Sequence, residues 1–303
     1  SGLTAVTAVL TAGAIVGTTV AFHYTTTVNN YLDADTYKII RGDSDEDTEY
    51  FKSDFTSDEE RESYEAELCA QVEAEGAALL KNDNNALPLA SGAKVSLFGH
   101  GSVDLMYGGT GSGSVDTSKA PNFKQALEDQ GIQVNSTLWD LYSSDDMMKN
   151  YSRITPAAIS DTLEANTQYA VNEAPWSKLS SAESSFADYG DAAIVVFSRS
   201  GGEGADLPSG ENGTNDSWIK GQEGDGNYLA LSAEEKELLQ NLKNLKDNGT
   251  FKKIIVLINS SNAIEMDFLN PEICGEDYGI DSAMWIGDVG QTGINGVAQL
   301  LAG

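Results

Sequence analysis

The chain has 303 residues, 47 acidic against 18 basic, for a formal net charge of −29. That balance excludes a basic face for nucleic acid or anionic lipid, and reads as solubility. Two cysteines, Cys69 and Cys274, and two histidines, His23 and His100, are too few and too scattered for a disulfide framework or a zinc site; a single bridge between the cysteines stays open, with buried free thiols as the expected state.

Residues 3–22 carry no charge, and the first charged residue is Asp33. Twenty residues at about 1.5 Å each match a bilayer core, so residues 1–32 read as a membrane-spanning or signal-anchor segment. Two alternatives stay open: a secretory signal, which is normally shorter, and a buried helix of a soluble protein. The acidic residues that follow, with little Lys or Arg, favour an extracellular position for the rest of the chain. Gly13 and Gly17 form a GxxxG pair through which two helices could meet, giving a possible homodimer. Residues 33–60 are acidic and lack apolar periodicity, as in an extended linker.

Residues 61–303 form the candidate globular domain. Its first helix is predicted over residues 59–75, where Tyr64, Leu68 and Val72 recur at intervals of four on one face. Apolar, β-rich runs follow at residues 78–81, 95–98, 194–197, 254–258 and 283–286, with 132–136 as a sixth candidate. Helical stretches lie between them, at residues 120–130 and 232–246. The latter opens on a capping box, Ser232 with Glu235, and carries a stripe of Leu238, Leu239, Leu242 and Leu245 before Gly249 ends it. Six strands alternating with helices predict an α/β fold: a mostly parallel six-stranded sheet sandwiched by helices, preceded by the hydrophobic helix. Residues 138–190 alternate helical and loop signals and suggest no function.

Three loops could carry chemistry. GGTGSGS (residues 108–114) lacks the Lys of a phosphate loop, and GHGSVD (residues 99–104) has Asp104 where a dinucleotide fingerprint needs Gly or Ala. A nucleotide-binding domain is therefore the third choice of function. A serine hydrolase would need His100 as its base, and no GxSxG accompanies it. The remaining loop, SGGEGAD (residues 200–206), follows a strand buried on both faces and sets Glu203 among three glycines. Ligands of α/β sheets bind at the carboxyl ends of strands, so this carboxylate is well placed for chemistry.

SGGEGAD, followed by YLALSAEEKELL (residues 228–239) and IIVLINSSNAIEM (254–266), resembles the sandwich domain of glycoside hydrolase family 3. Upstream, EGAALLKNDNNALPL (75–89), KVSLFGHG (94–101) and GGTGSGSV (108–115) resemble further blocks of that family, as does SAMWIGDVGQTGINGVAQLLAG (282–303) downstream. The resemblance spans roughly residues 62–303 in the family's order. It implies a retaining, exo-acting β-glycosidase of β-glucosidase or β-xylosidase type, with a β-linked glycoside as substrate and no cofactor. Glu203 stands at the position of the family's general acid/base. The family commonly has Arg after the Asp of this motif; here Leu207 follows Asp206, and a long polar loop with Glu211, Asp216, Glu223 and Asp225 comes next, so Asp206 is kept as an alternative acid. Gly109, Thr110 and Ser112 are candidates for substrate contact at the mouth of the site, and Trp218 for stacking on a sugar face.

In the family the nucleophile is an Asp on a TIM-like barrel, and this chain has no eight βα repeats. A membrane-like segment directly before the sandwich resembles the reversed-order members, in which the barrel comes last. The expectation is thus an amino-terminal part of a larger enzyme, completed by a barrel from further sequence or another chain. The competing reading is a non-catalytic, membrane-anchored domain that binds carbohydrate or packs on a partner.

Overall fold

The computed structural model describes residues 2–31, 53–109, 111–154, 169–203, 207 and 227–303. The described residues fall into two units, Ser1–Asp54 and Phe55–Gly303.

In the first unit, α1 (Gly2–His23) is followed by α2 (Thr25–Tyr31). No residue of α1 is buried, and its 22 residues are long and apolar enough to cross a membrane. Thr7, Thr11 and Thr19 turn their hydroxyls back onto the carbonyls of Leu3, Thr7 and Ile15, at 3.0, 2.9 and 2.8 Å. Every polar group so paired is one that lipid would not have to solvate.

The second unit is a helix–sheet–helix sandwich. It begins with α3 (Asp58–Gly76), capped by Ser57, whose hydroxyl accepts from the Glu60 N–H. Next come β1 (Ala78–Asn82), β2 (Lys94–Phe98), α4 (Phe123–Asp129) and β3 (Gln133–Val134). The short helices α5 (Ser136–Tyr142) and α6 (Asp145–Tyr151) precede β4 (Ala192–Ser198) and α7 (Ala233–Asp247). The unit closes with β5 (Ile254–Asn259), α8 (Pro271–Cys274), β6 (Ser282–Trp285) and α9 (Ile294–Ala302). All six predicted strands form one sheet in the order β1-β6-β5-β4-β2-β3. β1 runs antiparallel to β6, and every other pairing is parallel.

Alternation along the central strands divides the core in two. Ala193, Val195 and Phe197 of β4 with Ile254, Val256 and Ile258 of β5 face α5, α6 and α7. Ile194 and Val196 with Ile255 and Leu257 face α4 and α9. Strands buried on both faces read as continuous apolar runs, which is why β4 and β5 were legible. The predicted capping box on α7 is present, with Ser232 and Glu235 bonded reciprocally, and Gly249 adopts φ +87° just beyond the helix.

The α3 helix corrects one expectation. Tyr64, Leu68 and Val72 face outward, at 52, 43 and 63% exposure, and the helix instead turns Ala66, Cys69, Ala70 and Ala74 inward. Steric fit decides this: Gly293 and Gly296 at the start of α9 let the two helices approach until a Cβ on Gly296 would collide with the Ala70 carbonyl. The small-residue stripe gains contact that larger side chains would prevent. The cysteines are free, as expected, but Cys69 and Cys274 are half-buried rather than buried.

Candidate active site

The site lies at the carboxyl ends of the central strands, where β4 runs out into the glycine loop. Directly after the strand, Arg199 is fully buried and uses all five of its N–H donors. Its Nη1 and Nη2 grip the two oxygens of Glu235 at 2.8 and 2.7 Å. The remaining donors go to the carbonyls of Tyr228 (2.7 Å), Ala230 (2.7 Å) and Ser198 (3.0 Å). Burial works against the guanidinium charge, but Glu235 outweighs it and keeps the group above its ordinary range. The Tyr228 hydroxyl donates to the Ser200 carbonyl at 3.0 Å. The root of the glycine loop is thereby fixed to the start of α7.

From the end of β5, Asn262 donates to the same Ser200 carbonyl at 3.1 Å, and its amide occupies the space where a side chain on Gly201 would stand. Asn259 holds the neighbouring loop: its side chain accepts from the Met106 N–H at 2.6 Å and donates to the Met106 and Gly287 carbonyls at 3.0 and 2.7 Å.

The loop with residues 108–114 then meets the Glu203 loop backbone to backbone. A Cβ on Gly109 would stand 3.3 Å from the Gly201 carbonyl oxygen and 3.7 Å from Gly202 Cα. Gly111, at φ +67°, lies under the acid itself, since a Cβ there would sit 2.6 Å from Glu203 Oε2. Ser112 closes the contact, giving Glu203 Oε2 its N–H at 2.9 Å and its hydroxyl at 2.5 Å. Glu203 is exposed, and the Ser112 hydroxyl and then its N–H hold the carboxyl below its ordinary range against a small opposing effect of burial. Ser112, read from the sequence as a sugar contact, thus bonds to the candidate acid. Thr110, Asp206 and Trp218 lie outside the described residues.

Two further polar clusters share this edge. His100 Nδ1 and its backbone N–H both bond Glu173 Oε2 at 2.9 Å in a buried pair, which ties the turn after β2 to the 169–174 segment. Arg153 donates to the Asp104 carbonyl at 2.7 Å and to Ser198 Oγ at 2.8 Å. Beyond β6, Asp288 accepts from the Ser261 N–H at 3.2 Å, and burial raises its carboxyl above the ordinary range. Burial, with the Asp288 carboxylate adding to it, pushes Glu73 of α3 up to about 7. Among the described residues no group of three or more His, Cys, Asp or Glu is arranged to hold a metal ion.

Arg199, Asn259 and Asn262 were not singled out from the sequence. The available signal was a lone cation closing a fully apolar strand: a charge in that position must be paired, and the capping-box Glu235 is its partner.

Residues 77–303 match the glycosyl hydrolase family 3 C-terminal domain. The chain belongs to glycoside hydrolase family 3. A β-glucosidase of Ruminococcus albus is 30% identical over 240 residues, covering 78% of this chain and 21% of that protein. The family 3 sandwich also superposes on a solved β-glucosidase from Paenibacillus barengoltzii, with TM-score 0.58, 26% identity, and coverage of 78% of this chain and 23% of the other. β-Glucosidase 3B from Thermotoga neapolitana, solved in complex with α-D-glucose, gives TM-score 0.55 and 25% identity over 79% of this chain and 29% of its own. The chain therefore spans between a fifth and three tenths of the length of these relatives.

Proposed function

We propose that this chain supplies the general acid/base of a retaining, exo-acting β-glycosidase of β-glucosidase type, with Glu203 in that role and Asp206 as the alternative. The observation that carries the reading is the placement of Glu203. It is exposed beyond the carboxyl end of β4, on a glycine loop packed closely against Asn262, Gly109 and Gly111, with its root fixed by a saturated buried ion pair. Retaining hydrolysis needs two carboxyl groups about 5–5.5 Å apart, one attacking the sugar and one donating the proton. The attacking Asp is proposed to lie on a barrel outside these 303 residues. Gly109 and Ser112 are proposed to border the sugar, with Thr110 and Trp218 as further candidate contacts.

The Ser112 hydroxyl and N–H hold the Glu203 carboxyl below its ordinary range, whereas a proton donor must be protonated when substrate binds. A barrel and a bound sugar would close over the exposed carboxyl, remove water from it and bring a second carboxylate near, and both effects raise its pKa. In the first step the Glu203 proton passes to the glycosidic oxygen as that oxygen leaves the anomeric carbon and the barrel Asp bonds to the carbon in its place. In the second, the resulting Glu203 carboxylate takes a proton from water as the water oxygen bonds to that carbon and the bond to Asp breaks, which frees the sugar and restores both carboxyl groups.

Glu203→Gln in the protein together with its barrel should lose several orders of magnitude on glucosides with poor leaving groups, and far less on activated aryl glucosides. Equal losses on both would overturn the assignment. The α1 helix is proposed to anchor the chain in a membrane with the sandwich outside, supported by its length, apolarity and complete exposure. Resistance to alkaline carbonate extraction, lost on deletion of residues 1–32, is the expected result.

A further inference from the structure

Oxygen Oε2 of Glu203 receives two donors from one residue, the N–H and the hydroxyl of Ser112, at 2.9 and 2.5 Å. That residue is not free to drift. Its loop is pinned by Gly290 N–H to the Tyr107 carbonyl at 2.7 Å, by Tyr107 Oη to the Pro121 carbonyl at 3.0 Å, and by Asn259 on Met106. Gln291 adds a bond to the Asp116 carbonyl at 2.8 Å. Within the loop the Ser114 N–H donates to the Gly111 carbonyl at 3.1 Å, and a Cβ on Gly108 would press on Gly113 and Val115 at 2.6 Å. The loop is a closed frame that presents Ser112 to one oxygen of the acid.

Building on the reading of Glu203 as the acid/base, we propose that Ser112 is its positioning residue: its N–H and hydroxyl, both on Oε2, fix the carboxyl group on the loop frame. When Glu203 gives its proton to the glycosidic oxygen, the negative charge that develops on the carboxylate meets these donors already in place. The same bonds favour the ionised form before substrate arrives, so Ser112 sets how acidic Glu203 is and the pH at which it is protonated.

The test separates the clamp from the catalytic reading. In the 303-residue chain in detergent micelles with 13C-labelled Glu side chains, the Glu203 carboxyl resonance, identified by its loss in Glu203→Gln, is followed through pH. Its midpoint should lie below the ordinary glutamate range and rise by about half a pH unit or more in Ser112→Ala, while Ser112→Thr stays near the parent. An unchanged midpoint in Ser112→Ala would overturn the clamp, whatever the enzyme does. In the protein together with its barrel, the basic limb of the kcat/KM profile should move to higher pH in Ser112→Ala and be restored by Ser112→Thr. A limb that stays in place while the NMR midpoint moves would overturn the positioning role. The leaving-group comparison on Glu203→Gln tests the parent reading independently of both.

Discussion

Removing Glu235 should destabilise the sandwich unit more than most single substitutions can. In Glu235→Ala, the fully buried Arg199 loses the partners of its 2.8 and 2.7 Å bonds and keeps its charge, while the Ser232 N–H loses the acceptor that Glu235 provides at 2.8 Å. An uncompensated buried charge of this kind costs about 3–5 kcal/mol. At about 2–4 °C per kcal/mol for a domain of this size, the melting temperature should fall by roughly 6–20 °C. Thermal unfolding followed by far-UV circular dichroism in detergent reads this directly. The double variant Arg199→Met/Glu235→Leu, which removes the charge together with its partner, should lose less than Glu235→Ala alone. A drop of less than about 3 °C in Glu235→Ala would mean that water replaces the carboxylate and the pair is not a closed unit. A double variant worse than the single would refute the argument from uncompensated charge.

Glu73 and α9 offer two further tests. The folded chain holds the Glu73 proton to about pH 7, and an unfolded chain releases it near 4.5, so stability should fall as pH rises between those values and level off above. Glu73 is only half-buried, and solvent screening limits the effect to about 1–2 kcal/mol. Urea unfolding at pH 8 should show Glu73→Gln more stable than the parent, and the two alike at pH 4; equal stability at pH 8 would show that burial does not perturb the group. Gly296→Val places a side chain against the Ala70 carbonyl and the Ala74 N–H, and should cost about 1–3 kcal/mol in the same assay. No loss would mean that α3 and α9 can separate freely.

What could be read in advance depended on whether local sequence alone determined the outcome. β4 and β5 are buried on both faces, so composition suffices to find them, and the reciprocal bonds of Ser232 and Glu235 span only three residues. Gly249 has the residue type best suited to its left-handed turn at φ +87°. The buried face of α3 was misread because the choice rests on Gly293 and Gly296, more than 200 residues away in sequence. The same distance hid the contacts of the site. Ser112 and Glu203 are 91 positions apart, Arg199 and Glu235 are 36, and neither pair follows a helical or strand period. The segment that supplies Glu173 to His100 carries no motif at all, and only the fold brings the two together.

The close seating of α9 on α3 has a bearing on how such a unit is joined to others. Its opening and closing helices share one layer, while the acid-bearing loop hangs from the ends of the central strands. A tether attached at either helix would leave from that shared layer, on whichever side of the unit in sequence a neighbouring domain stands.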